Sequence, residues 1–276
     1  TTYNDALDTR KKRDFSLLTE LRQTLQGNQG LYLVYQPKIS LATGRVTGAE
    51  ALVRWKHPTN GEVLPGEFIP LVEKTSLMRE LTAWVIDRTI AQLSEWRDQG
   101  LTLPVSINLA ASDFSRPDFA EELEQKLRNS SLEPALLGLE CLETEKMLES
   151  PAALNGLNML KKRGFKISLD DFGSGYSNIN YLRQMPLDII KLDRSIVSHI
   201  VDEKASRIIV RNVIKLLKQL DYIVLAEGVE DRKTVEILRS LGCDEVQGYF
   251  YARPMVSADF AAWSRARNAA TERNPL

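Results

Sequence analysis

The chain has 276 residues, of which 43% are hydrophobic and 26% charged, and its formal net charge at pH 7 is -1. This composition is sufficient for a large buried core and lacks the basic excess of proteins that coat a nucleic-acid polymer. The two cysteines form no CxxC pair or disulfide framework, which favours a reducing, cytoplasmic setting. No apolar run approaches the roughly 20 residues of a transmembrane helix, so we expect no direct membrane contact by this domain.

The chain opens with a polar and then amphipathic stretch, which is typical of a helical linker that enters from an upstream domain. A hairpin is predicted next, with two strands on either side of Ala42–Thr43–Gly44. Six further apolar runs are predicted as strands, at 105–110, 137–142, 165–170, 187–192, 222–228 and 245–250. Amphipathic stretches are predicted as helices, at 79–99, 117–129, 151–163, 203–220 and 231–241.

This alternation of strands and helices predicts βαβ units and a parallel sheet, and therefore an α/β fold. The two hairpin strands and the six later runs make eight strands, the number that closes a TIM-type barrel. An open, doubly wound sheet is the main alternative. The final stretch, NAATERNPL, is predicted to be a frayed tail.

Polar residues lie at or near the carboxyl end of nearly every predicted strand. One polar residue at a strand end can simply be solvated, but recurrence in seven strands favours a shared site. In a (β/α)8 barrel these ends converge on one mouth, where active sites lie. The residues are Glu50, Asn108, Glu140, Glu143, Asp170, Asp171, Lys191, Glu227 and Gln247.

This set is rich in oxygen ligands. The histidines, His57 and His199, do not lie at strand ends with acidic partners, which argues against a zinc site. The adjacent carboxylates of Asp170 and Asp171 repel each other, so positive charge is expected between them. Hard divalent cations suit carboxylate and amide ligands, and two such ions sharing one carboxylate are typical of in-line attack on a phosphodiester. Lys191 is predicted to hold the attacking water or offset phosphate charge, with a plain ion pair as the alternative.

The segment FGSGYS follows the two aspartates. Gly173 and Gly175 permit positive φ and close backbone approach, but the segment lacks the lysine of a P-loop. It is either a tight strand-to-helix turn or a mobile lid over the acids.

Eight segments occur in a family-specific order: YQPKI (35–39), EALVR (50–54), NLA, LECLET, DDFGSGYS, IKLDRSIV, AEGVE and QGYFYARP. With them the chain resembles the EAL domain family of bacterial cyclic di-GMP phosphodiesterases, over about residues 18–264. The resemblance implies a modified TIM barrel with an antiparallel first strand, preceded by a linker at 1–17 and followed by a tail at 265–276. It also implies hydrolysis of cyclic di-GMP to linear pGpG with two Mg²⁺ or Mn²⁺ ions, and inhibition by Ca²⁺.

Matched position by position, the resemblance implies that five residues are metal ligands and that Glu227 is a further ligand or a water-holding acid. Lys191 matches a lysine beside the attacking water. Glu50, Asp170, Asp171, Lys191 and Glu227 are therefore the predicted catalytic residues. The five implied ligands are Glu50, Asn108, Glu140, Asp170 and Asp171.

The resemblance implies supporting roles for five more residues. Gln36 and Arg54 match substrate contacts, and the Arg54 guanidinium is suited to a phosphate. Gln247 matches a polar group at the substrate and metal-water network. Glu143 matches the acid that anchors the DFGSGYS loop, and Glu230 matches a second acid of the EGVE segment outside the ligand set.

The chain departs from the family pattern at Leu142, where threonine is usual, and at Asn178, where serine is common. Neither change removes an implied ligand. A cyclic di-GMP receptor without turnover is the alternative function. A metal-dependent aldolase-type barrel would share the acids and the lysine but not the EALVR to QGYFYARP series.

Two partners besides the substrate are expected from the resemblance. The N-terminal stretch is similar to segments that follow a GGDEF domain, so an upstream GGDEF or sensory domain is expected. Members of the family often dimerise, which makes a homodimer through the 172–178 loop and the 203–220 helix an expectation.

Overall fold

The computed structural model of the protein describes residues 2–27, 29–73, 75–142, 150–175 and 182–273, with side chains from residue 13 onward. The chain folds into two compact units. The first contains Thr1–Val34 and Val53–Arg88, and the second contains Tyr35–Leu52 and Thr89–Leu276. The predicted barrel-domain limits, residues 18 and 264, stay a prediction.

Strands and helices alternate along most of the chain. The strands are β1 (Leu31–Ser40), β2 (Val46–His57), β3 (Gly61–Val63), β4 (Val105–Leu109), β5 (Leu137–Leu142), β6 (Lys166–Phe172), β7 (Ile189–Leu192), β8 (Ile223–Ala226) and β9 (Glu245–Val246). The helices are α1 (Thr2–Gly27), α2 (Pro65–Val72), α3 (Leu77–Asp98), α4 (Ala111–Phe114), α5 (Phe119–Asn129), α6 (Pro151–Lys162), α7 (Arg194–Val197), α8 (Lys204–Gln219), α9 (Arg232–Ser240) and α10 (Ser257–Arg273).

The first unit packs helices against a short antiparallel ribbon. The end of β2 pairs with β3, with Trp55 opposite Val63. Trp55 is fully buried and meets the buried Phe68 of α2 edge to face, with ring centroids 5.6 Å apart. Leu17 and Leu21 of α1 complete this core, which explains why the helix is amphipathic at this end.

The second unit is a closed barrel of eight strands. Their order is β1-β9-β8-β7-β6-β5-β4-β2, and a β1–β2 pairing closes the ring. The pairs from β2 through β4 to β9 are parallel, whereas β1 runs antiparallel to β9, with Ile39 opposite Val246. The predicted modified TIM barrel with an antiparallel first strand is confirmed, and the open-sheet alternative is wrong.

Apolar spacing and end signals position the helices of the second unit. On α8, Val210, Ile214 and Leu217 recur at helical spacing and are fully buried, so this stripe faces the protein interior. Ser150 and Asp231 cap α6 and α9, each accepting a hydrogen bond from the backbone N–H three residues later. Within the described part of the chain, no helix has both the length and the hydropathy to cross a bilayer.

Several segments differ from the sequence prediction, among them β6, β9 and the C-terminal tail. β6 continues to Phe172 instead of ending at Asp170, and β9 contains only the first two residues of the predicted run 245–250. The tail predicted from residue 265 is helical as far as Arg273. Asn268 of that helix accepts a hydrogen bond from the backbone N–H of Val46, 2.8 Å away, which ties its last turns to the start of β2.

Candidate active site

Polar side chains occupy the carboxyl ends of neighbouring barrel strands, as the sequence predicted. Asn108 on β4 is in register with Glu140 on β5, and Leu142 on β5 is in register with Asp170 on β6. Because each of these strands runs parallel to its neighbour in the barrel, their carboxyl ends lie at one mouth of the barrel. Four other residues reach this edge: Glu50 on β2, Lys191 on β7, Glu227 after β8 and Gln247 after β9.

A bulge in β6 explains how the carboxylates of two consecutive residues, Asp170 and Asp171, can both lie at the mouth of the barrel. Successive residues of a regular strand point to opposite faces, but the register with β7 shifts between Leu169 and Phe172. Asp171 has φ of 57°, in the left-handed region that aspartate tolerates better than most residues. The backbone N–H of Asp171 donates to Asp170 Oδ1 at 3.0 Å, and carboxylate oxygens of the two residues lie within 4.8 Å of each other.

The carboxylates form two overlapping groups of three. Glu50, Glu140 and Asp170 make one group, and Asp170, Asp171 and Glu227 make the other. Within each group one carboxylate oxygen per residue lies within 4.8 Å of the others. Asp170 therefore belongs to both groups, which is the arrangement expected of a bridging carboxylate.

Lys191 lies among these acids and is fully buried. Its Nζ is 2.8 Å from Glu227, 3.1 Å from Asp170 and 3.2 Å from Glu50, and it also pairs with Glu140. Burial alone would lower the pKa of Lys191, but the surrounding carboxylates raise it well above its usual value. Lys191 therefore forms the ion pair that the alternative interpretation predicted, but with four acids instead of one.

A second buried lysine was missed by sequence reasoning. Lys38 Nζ donates to Glu140 Oε1 at 2.7 Å and to Ser106 Oγ at 2.6 Å. Gln36 and Lys38 are both buried on β1 and two residues apart, so they share one face of the strand. That period-two polar pattern within YQPK is the signal that could have identified Lys38.

Amide side chains fix the orientation of the Glu50 carboxylate. Asn108 Nδ2 and Gln247 Nε2 each donate to it at 2.7 Å, one to either oxygen. Gln247 Nε2 also lies 3.1 Å from Gln36 Oε1. The Oε1 atom of Gln247 is buried and has no protein donor among the described residues, so it remains available to accept a hydrogen bond within the site.

The acids differ in how easily they ionise. Burial opposes ionisation of Glu140, but Lys191 and Lys38 outweigh it and lower its pKa to about 2. Burial raises the pKa of Asp170 to about 8, with Glu140, Glu227 and Glu50 adding to the rise against Lys191. Burial likewise raises the pKa of Glu227 to about 7. The positive charge of the two lysines therefore favours ionisation of Glu140 but does not offset the burial of Asp170 and Glu227.

These residues fit hard divalent cations. Five carboxylates face only two ammonium groups, and the donors available to a metal are carboxylate and amide oxygens, which suit Mg²⁺ or Mn²⁺. The unpartnered Gln247 Oε1 and the raised pKa of Asp170 both indicate a place for positive charge or a proton donor.

The remaining predicted residues are not brought into this cluster by any described contact. Arg54 belongs to the first unit, where its Nη1 donates to the Val53 carbonyl and its Nε lies 3.7 Å from Glu62. Glu230 pairs with Arg194 at 3.1 Å. Glu143 and residues 176–178 of the predicted loop lie outside the described residues, so their roles stay predictions.

The model of one protein family, the EAL domain, matches residues 18–254. The chain belongs to the EAL domain family. Among curated relatives, this EAL domain is 42% identical over 95% of its length to a cyclic di-GMP phosphodiesterase of Pseudomonas aeruginosa, covering 45% of that protein. It is 36% identical over 94% of its length to the bifunctional diguanylate cyclase/cyclic di-GMP phosphodiesterase MucR of the same organism, covering 38%. The EAL domain thus spans less than half the length of either relative.

Solved structures agree with this assignment. The phosphodiesterase MucR in complex with cyclic di-GMP matches with a TM-score of 0.82 at 37% identity, over 89% of this EAL domain and 99% of that chain. An EAL enzyme bound to cAMP and cyclic di-GMP matches with a TM-score of 0.86 at 31% identity, over 95% of this chain and 71% of the other.

Proposed function

We propose that this EAL domain hydrolyses cyclic di-GMP to linear pGpG in a reaction that depends on two divalent cations. The observation that carries the proposal is the membership of Asp170 in both carboxylate groups. Relatives with 42% and 36% identity that are named cyclic di-GMP phosphodiesterases support the choice of substrate.

Each carboxylate group would supply the ligands for one cation. Glu50, Glu140 and Asp170 would hold one ion, and Asp170, Asp171 and Glu227 the other, with Asn108 beside Glu50. When bound, a pair of Mg²⁺ or Mn²⁺ ions supplies activation of the nucleophile and stabilisation of the leaving oxygen. Ca²⁺ is expected to inhibit, since it is larger and takes a looser set of oxygen ligands.

Several side chains of the protein would orient the metal ligands and the substrate for the reaction. Lys191 Nζ donates to several carboxylates and would place its positive charge beside the attacking water or the phosphate. Gln247 and Asn108 hold the Glu50 carboxylate from both sides. Gln36 and Arg54 are the proposed substrate contacts, of which the Arg54 guanidinium would suit a phosphate oxygen.

The context of the domain is also a proposal. The relatives are more than twice as long as this chain, and one is named as a diguanylate cyclase as well, which supports an upstream GGDEF or sensory domain. The proposed location of the domain itself is the cytoplasm, whether or not the parent protein is anchored in a membrane. A homodimer through α8 is supported by Ile208 and Ile209, apolar residues of that helix that are 40% and 55% exposed. Sedimentation at micromolar concentration tests the dimer.

A hydrolysis assay tests the proposed reaction. The purified chain is incubated with cyclic di-GMP and Mg²⁺, and pGpG is followed by chromatography, with EDTA and Ca²⁺ as parallel conditions. Glu50→Ala removes one ligand and one charge, so the rate should fall about a thousandfold or more, because metal catalysis contributes several kcal/mol and 1.36 kcal/mol is a factor of ten.

The outcomes separate enzyme from receptor. Binding of cyclic di-GMP by the parent without pGpG formation in Mg²⁺ or Mn²⁺ would establish a receptor instead. A Glu50→Ala variant that hydrolyses cyclic di-GMP within tenfold of the parent rate would contradict the assignment of the active site to the mouth of the barrel. Asp202→Asn serves as a matched control, because it removes an exposed carboxylate that belongs to neither carboxylate group.

A further inference from the structure

The second unit contains a cavity of about 280 Å³ that is not lined by any residue of the acid cluster. Its walls come from α9, from α10 and from the segment that follows β9. Three of the lining side chains are arginines, two are aromatic and one is acidic: Arg232, Arg239, Arg267, Phe250, Tyr251 and Glu236.

Two of the arginines are held in place by backbone carbonyl groups. Arg267 Nε donates to the Gly44 carbonyl at 2.9 Å, and its guanidinium lies over the Tyr251 ring, 4.6 Å from the centroid. Arg239 Nε donates to the Leu41 carbonyl at 3.1 Å. Both bonds use Nε, so the terminal amino groups of each guanidinium remain available for a ligand.

None of the three arginines is paired with a carboxylate within the described ranges of the chain. Glu236 is the one acid in the lining, so three positive charges face one negative charge. All three guanidinium groups act on the pKa of the half-buried Tyr251 hydroxyl and oppose the rise that burial causes. The three positive charges therefore converge on one region of the cavity.

We propose that this cavity is a second ligand site, separate from the acid cluster, that binds a phosphate-bearing compound of about mononucleotide size. Guanidinium forks match phosphate oxygens in geometry and charge. The volume is near the lower limit of about 300 Å³ for small-molecule pockets and exceeds the needs of a lone phosphate. The Phe250 ring supplies an apolar surface for the rest of the ligand.

The two sites differ in the sign of their charge. The acid cluster has an excess of carboxylates and repels free phosphate when no cation is bound. The arginine cavity attracts phosphate without a metal. Binding measured in EDTA therefore reports on the cavity, and an Arg54→Gln variant checks for binding at the proposed substrate contact instead.

Calorimetric titration of the metal-free protein with GMP tests the proposal, with pyrophosphate and guanosine as comparison probes. GMP should bind, pyrophosphate should bind more weakly, and guanosine should not bind measurably. Arg232→Gln and Arg239→Gln should each weaken GMP binding about tenfold, the effect of one charge-assisted contact. Glu236→Gln should tighten binding several-fold, since it removes the one opposing charge, and this gain cannot come from misfolding.

Two neighbouring variants are matched controls. Lys233→Gln removes a positive charge beside Arg232, and Arg265→Gln removes an arginine from α10 that also donates to a backbone carbonyl, yet neither residue lines the cavity. Both should bind GMP within about twofold of the parent. The proposal is overturned if GMP gives no binding at millimolar concentration, if guanosine binds as well as GMP, or if Arg54→Gln abolishes binding while Arg232→Gln leaves it unchanged.

Discussion

Asp170 and Asp171 are consecutive residues, yet both carboxylates reach the same group with Glu227. The left-handed conformation of Asp171, at φ of 57°, and the register shift between β6 and β7 make this possible. A strand without this bulge would direct one of the two carboxylates away from the mouth. The geometry of β6 is therefore part of the proposed metal site.

Asp170→Asn should remove one shared ligand from both cation sites. Crystals of the parent grown with Mn²⁺ should show two ions in contact with Asp170, whereas the variant should hold at most one. Hydrolysis of cyclic di-GMP by the variant should fall about a thousandfold or more, since the loss affects both ions. Anomalous diffraction at the manganese edge counts the ions, and a single ion beside Asp170 in the parent would contradict the two-cation proposal.

Lys191→Met should destabilise the protein most when no metal is present. The substitution leaves four carboxylates without their shared buried partner, and loss of one member of a buried ion pair costs about 3–5 kcal/mol. Divalent cations would neutralise the same acids, so the loss in the free energy of unfolding should be smaller in Mg²⁺ than in EDTA. Urea unfolding under both conditions measures the difference.

A matched control for that experiment is Lys166→Met. Lys166 pairs with Asp188, but its side chain is 56% exposed, so its loss should cost about 1 kcal/mol or less in either condition. An equal destabilisation by Lys191→Met with and without Mg²⁺ would show that the lysine does not substitute for cation charge.

The barrel and the set of mouth residues were predictable because they rest on periodic patterns. Alternating apolar runs fixed eight strands, and polar residues at their ends indicated one edge. The bulge at Asp171 was not predictable in the same way, since a two-residue acidic motif carries no periodic signal and its conformation depends on pairing with β7. For that reason the predicted strand ends at Asp170, two residues before the observed end of β6, and leaves Asp171 out.

Lys38 shows a second limit of sequence reasoning. The sequence predicts that a lysine in the middle of the first strand is exposed to solvent, because lysine is rarely buried unless it is paired. Its partner Glu140 is 102 positions away, and only closure of the barrel brings the two together. The terminal helix α10 was missed because its alanine-rich, charged sequence resembles that of a frayed end.

Asp188 should make stability depend on pH in the acid range below about pH 4. Burial opposes its ionisation, but Lys161, Lys166 and the backbone N–H of Ile167 outweigh burial and lower its pKa. A carboxyl group with a lowered folded-state pKa contributes stability above the unfolded-state pKa of about 3.9, and that contribution is lost as pH falls through the folded-state pKa. Asp188→Asn should therefore be less stable than the parent at pH 7, and the difference should shrink towards pH 3.

Urea unfolding of the parent and the variant from pH 7 to pH 3 checks this dependence. Asp202→Asn, which removes an exposed acid, should track the parent over the whole range. A stability difference between parent and Asp188→Asn that stays constant to pH 3 would mean that the Asp188 charge has no part in it.

Binding of the cations should release protons at pH 7. Burial raises the pKa of Asp170 to about 8 and that of Glu227 to about 7 in the metal-free protein, so protons occupy part of the cluster at neutral pH. Because the pKa values of Asp170 and Glu227 are raised in the folded state, protonation of these two acids stabilises the folded protein. That contribution is complete below about pH 4 and is lost as the pH rises through 7 to 8. Bound Mg²⁺ or Mn²⁺ favours the ionised forms, so about one to two protons should leave at pH 7 and almost none at pH 9.5. Titration calorimetry with Mn²⁺ in two buffers of different ionisation enthalpy counts the protons. Asp170→Asn should release fewer at pH 7, and a parent that releases none at that pH would show that its acids are already ionised without a cation.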